Sequence, residues 1–189
     1  MRLLIATLCL TLTLTLTAQN ALACACCAEK GERFTQVDTL DAYAQGELAA
    51  LVSAGPVQSF VTACDLECLR GVQNPQYNYE GTLSLQNGIA HLDLGLAGEL
   101  DLPLGESLTR FAVDPTPFAE GPVASLYSEF RFVGPLIASD DFQAATGANA
   151  ELILVGQTNW CWSAADLTHW ILDVSGPEVE FRLFGQFQP

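Results

Sequence analysis

Residues 158–170 read TNWCWSAADLTHW and hold the densest set of side chains in the sequence that could do chemistry: Trp160, Trp162 and Trp170, with Asp166, His169 and Cys161. Indole rings present broad apolar faces and one N–H donor each, and beside amides and carboxylates they suit stacking on a sugar ring or another flat ligand. This pattern nominates Trp160, Trp162, Asp166 and His169 as ligand-binding residues. Trp170 alternates with Leu172 and Val174, so it reads as core. Ser163, Asp166 and His169 supply the residue types of a hydrolytic triad. They lie within one short stretch, however, and no Gly-x-Ser-x-Gly elbow presents the serine. No catalytic residue is nominated.

The second concentration is ALACACCAEKGE, residues 21–32, where Cys24, Cys26 and Cys27 crowd together. Cys64, Cys68 and Cys161 follow, and Cys9 precedes them. Six cysteines in an exported chain read as a disulfide framework. Cys26 and Cys27 are neighbours and reach different partners more readily than each other; the pairing is otherwise open. The same thiolates could hold zinc, copper(I) or an iron–sulfur cluster. Neither spacing is Cys-x2-Cys, no methionine follows Met1, and the only histidines are His91 and His169. No metal ligand and no cofactor are nominated. Asp140-Asp141 and Glu99/Asp101 lack the Asp-x-Asn-x-Asp-Gly order of a calcium loop, and no phosphate-cradling or dinucleotide motif occurs.

Residues 1–23 carry Arg2, an apolar run and then Ala21-Leu22-Ala23, the three-part layout of a secretory signal peptide. Its apolar run is too short to span a bilayer comfortably. The expected mature chain is one domain, residues 24–189, secreted or periplasmic, with no later membrane-spanning stretch. Ala23-Cys24 also fits a lipoprotein signal, apart from Ala21 where an aliphatic residue is usual, so a lipid anchor on Cys24 is the alternative. The net charge is −15, from 22 acidic against 7 basic residues. Such a surface repels phosphate backbones and excludes nucleic acid as a partner.

These groups must be carried by elements, and the hydropathy pattern is mostly that of strands. Residues 38–52 place Leu40, Tyr43, Ala44, Leu48, Leu51 and Val52 near one helical face, with Asp38 as cap. Gly55-Pro56 predicts a turn before a strand over 57–63. Tyr79, Gly81, Leu83 and Leu85 alternate up to Asn87-Gly88, a two-residue hairpin turn. Leu92 and Leu94, then Leu100, Leu102 and Leu104, keep the period of two. Residues 110–123, with three prolines, read as a connection or a broken edge. Leu126, Ser128, Phe130 and Phe132 oppose Glu129 and Arg131. Strands over 151–155, 170–174 and 179–187 complete the pattern.

Seven or more short strands predict a mainly β fold: a single antiparallel β-sandwich or barrel-like domain with a short N-terminal helix, tied by disulfides. A chain with little catalytic chemistry on such a scaffold works through its surface, as a binding or structural module with a carbohydrate or protein partner. The alternatives are a small secreted hydrolase, a cysteine-based metal-binding protein, and a lipoprotein anchored through Cys24.

Overall fold

The structure is a computed structural model, and it describes residues 28–60, 66, 69–121, 123, 125–159 and 163–188. Cys24, Cys26, Cys27, Cys64, Cys68, Cys161, Trp160 and Trp162 lie outside the described residues, as does the expected leader.

Eleven strands form one antiparallel sheet: β1 (Arg33–Thr39), β2 (Val52–Ser59), β3 (Asn78–Gln86), β4 (Ile89–Asp93), β5 (Glu99–Pro103), β6 (Ser107–Val113), β7 (Leu126–Pro135), β8 (Ile137–Ala138), β9 (Asn149–Thr158), β10 (Leu167–Ser175) and β11 (Glu180–Gln186). Their order across the sheet is β1-β6-β7-β9-β10-β11-β2-β3-β4-β5-β8. Of the two expected architectures, sandwich or barrel-like, the two-sheet sandwich is corrected to one curled sheet, a half-barrel. The curl is visible in the chain itself: β8 follows β7 after Leu136, yet β8 pairs with β5, at the far end of the order. Gly134 marks the close approach, since a Cβ there would sit 3.2 Å from the Pro103 carbonyl oxygen.

Alternation explains why the sheet closes around a core. Leu83, Leu92, Leu100, Leu102, Leu152, Leu172 and Trp170 all point to the concave side and are essentially fully buried. Each such side chain contributes about 1.5–3 kcal/mol when withdrawn from water. Phe142 sits edge-on against Phe181, 5.2 Å between ring centres. The single α-helix among the described residues, α1 (Ala42–Ala49), adds Ala44 and Leu48 to the same core.

Several local expectations hold. Asn87 (φ 54°) and Gly88 (φ 74°) form the tight turn between β3 and β4, both in the left-handed conformation that Asn-Gly tolerates. Leu126, Ser128, Phe130 and Phe132 are buried on one face of β7. Others change. The helix cap is Asp41, which accepts from the Ala44 N–H at 2.8 Å, whereas Asp38 belongs to β1 and lies 2.9 Å from Arg110 Nε. Tyr43 faces solvent rather than the core. Residues 110–113 belong to β6. Gly55-Pro56 is not a turn but lies within β2, opposite Gly81 and Glu80 of β3. Proline is tolerated there because the β2–β11 ladder consists of only two pairs, Leu183↔Ser59 and Phe184↔Gln58. No N–H is required of Pro56 on that side. Among the described residues, no helix is long and apolar enough to cross a membrane.

Candidate functional site

Two of the four nominated ligand residues can be placed, and they part company. Asp166 turns inward on its own loop: its carboxylate accepts from the Ser163 N–H at 3.2 Å, while Ser163 Oγ accepts from the Ala165 N–H. The two form a reciprocal cap on the three-residue turn Ala164–Asp166. His169 stands exposed on β10, with Nδ1 2.8 Å from Thr168 Oγ1. The local triad does not form. Ser163 and Asp166 are spent on the backbone, and the described polar contact of His169 is a hydroxyl rather than a carboxylate.

What His169 does adjoin comes from other strands. The pleat that buries Trp170 turns His169 and Ile171 outward, and register fixes their neighbours. His169 lies opposite Val155 on β9 and Gln186 on β11, and Ile171 opposite Ile153 and Phe184. Phe184 in turn faces Gln58 of β2. A shallow groove of about 390 Å³ runs over this face, bounded by Phe60, Tyr127, Val155, His169, Ile171 and Phe184. Its lining is mostly apolar side chains, on a face that turns away from the core.

A second groove, of about 520 Å³, opens beside it where β2 and β11 part. Pairing ends at Phe184↔Gln58, and beyond that point the strands diverge past Gly55 (φ 134°) and Pro56. The far end is tied again by Gln188, whose backbone N–H donates to the Val52 carbonyl and whose side chain donates to the Ala54 carbonyl, each at 3.0 Å. The gap in the ladder is thus closed at both ends. Gln58, Gln186, Gln188 and His169 supply its polar side chains. The two grooves meet at His169, Phe184 and Gly185. Trp170 lines the first groove and meets the second through two of its lining residues: its Nε1–H donates to Ser53 Oγ at 2.9 Å, and Gly185 leaves room for the ring, because a Cβ there would fall 2.6 Å from it.

No protein-family model, curated protein or solved structure matches this chain. The site therefore rests on its own geometry.

Charge around the grooves is already neutralised. Arg182 is paired with Asp173, and its guanidinium lies 5.7 Å from the centre of the Phe60 ring. Arg131 bridges Glu129 at 2.5 Å and Glu151 at 3.2 Å. Tyr127 donates its hydroxyl to Glu129 at 2.7 Å. Burial, with the Glu129 carboxylate beside it, pushes the Tyr127 phenol up to about 12, so Tyr127 meets any ligand as a neutral ring.

The other histidine is also partnered. His91 Nδ1 lies 2.6 Å from Asp101 Oδ1, and register places Ser84 on the opposite side of His91. The order Ser84, His91, Asp101 across three strands resembles a nucleophile–base–orienter row. It borders none of the described grooves. Among the described residues no three His, Cys, Asp or Glu side chains gather closely enough to hold a metal ion.

Proposed function

We propose that this chain is an exported binding module whose ligand seat is the outward face of β9, β10, β11 and β2. The observation that carries this reading is the meeting of an apolar groove and an amide-lined groove at His169 and Phe184. A small ligand site combines an apolar floor with a few convergent polar groups in a depression of about 300–1,000 Å³, and both grooves fall in that range. The leader-like residues 1–23 and the strongly acidic composition accord with work outside the membrane. The cysteines are assigned to disulfides in that compartment.

Trp170 offers the test, because it lines the apolar groove and adjoins Ser53 and Gly185, which line the other. In a chain carrying Trp160→Phe and Trp162→Phe, emission comes from Trp170 alone. Titration with methyl glucoside or with N-acetyl tyrosine amide, as small ring probes, is expected to shift that emission saturably. Emission that stays constant with both probes would count against a seat beside Trp170.

A further inference from the structure

We propose that the groove between β2 and β11 selects an uncharged, polyhydroxylated ring: a glycan of neutral hexose units. The inference rests on the reading of this face as the ligand seat and adds the ligand's chemical class.

The polar side chains that line the groove, Gln58, Gln186 and Gln188 beside His169, include no carboxylate and no ammonium. That is unusual in a chain with 22 acidic residues, none of which lines this groove. Gln58, Gln186 and Gln188 each carry a carbonyl acceptor and an NH₂ donor. A sugar hydroxyl is both donor and acceptor, so an amide can meet two adjacent hydroxyls with both of its ends. A carboxylate offers acceptors alone and an ammonium donors alone. Among the described residues, the side chains of Gln58 and Gln186 hold no hydrogen bond, and both are exposed at the groove. Gln188 gives one N–H to Ala54 and keeps its oxygen.

Phe184 supplies the complementary surface. It projects outward in register with Gln58 and Ile171, so an apolar face borders the amides directly. The C–H face of a pyranose has that pairing of one apolar side and a hydroxyl rim. Anionic sugars meet the opposing field of a chain at −15, and Arg182, which lines the adjoining groove, is paired with Asp173. Cationic sugars gain from the field at long range, yet find no carboxylate in the groove.

The test is calorimetric titration of the full-length exported chain with neutral, acidic and basic tetramers. The neutral probes are cellotetraose, maltotetraose and mannotetraose; the others are tetragalacturonic acid and chitosan tetramer. At least one neutral tetramer is expected to bind more than tenfold tighter than either charged one. Gln58→Ala with Gln186→Ala should weaken it at least tenfold without lowering the melting temperature, and Ala54→Trp, which fills the groove from an exposed position, should abolish it. Tighter binding of a charged tetramer, lost in Ala54→Trp, would overturn the neutral class and leave the seat standing. Neutral binding that survives Ala54→Trp would overturn both. Absence of binding by all three neutral tetramers would overturn the class, whatever the small ring probes do at Trp170.

Discussion

Trp170→Ala is expected to lower the unfolding free energy by about 3–5 kcal/mol, the range for removing a large aromatic side chain from a packed core. Trp170 is fully buried, among Leu83, Leu92, Leu152 and Leu172 inside the curl of the sheet. The cost has two parts: a cavity the surrounding strands cannot close, and the loss of the Nε1–H donor to the buried Ser53 hydroxyl. Domains of this size hold only about 5–15 kcal/mol in total, so the variant should sit near the edge of folding at ambient temperature. Trp170→Phe keeps much of the volume and should cost distinctly less. Denaturant unfolding curves of the two variants provide the measurement. A loss under 1 kcal/mol for the alanine would mean that Trp170 does not fill the core.

The second large effect is expected at Gly156. A Cβ on this residue would lie 2.1 Å from the Asp166 carbonyl oxygen and 2.9 Å from Leu167 Cα. Both obstacles are backbone, so no side-chain rotation relieves the clash. Gly156 pairs with Leu167, beside the register shift that precedes His169. Gly156→Ala must therefore separate β9 from the start of β10, displacing the Ser163–Asp166 cap and, next along the strand, His169. Overpacking typically costs about 1–3 kcal/mol, and the backbone contact places this change at or above the top of that range. The expected result is a lower melting temperature together with weakened ligand binding. An unchanged melting temperature would contradict the close approach of these two strands.

Why some elements were legible and others not follows from what each strand borders. β3 to β5, β7 and β9 to β11 have one face on the core and one on solvent, so leucines and phenylalanines recur at every second position. β1 carries RFTQVDT, with Phe34 and Val37 on opposite faces and polar residues between. It lies at the end of the sheet order and buries too little to leave a period in its sequence. β2 hid behind Gly55-Pro56, a dipeptide that ordinarily turns the chain. Here it stays in the strand because the ladder on that side is interrupted. That β8 would join β5 is a long-range fact with no local signal.

The site divides in the same way. In the sequence His169 stands out by its nearness to Asp166 and the tryptophans. It belongs to the grooves instead through cross-strand neighbours, Val155 and Gln186, that the pleat selects. Gln58, Gln186 and Gln188 carried no motif, since a glutamine on a polar strand face is ordinary. Their meaning arises only where β2 and β11 diverge. A signal did exist for the opening itself: a Gly-Pro pair inside an otherwise alternating segment marks a place where pairing can fail.

A chemical-shift map of the isotope-labelled protein, titrated with cellotetraose, maltotetraose and mannotetraose, locates the ligand seat residue by residue. Perturbed backbone amides are expected at Gln58, His169, Phe184, Gly185, Gln186 and Gln188, on the β10–β11 hairpin with the residues just after it and on β2, far away in sequence. Little change is expected on the flank of the sheet that lies beyond β3, at His91 on β4 and Asp101 on β5. Shifts centred on that flank, or no shifts along β10, β11 and β2, would contradict this seat.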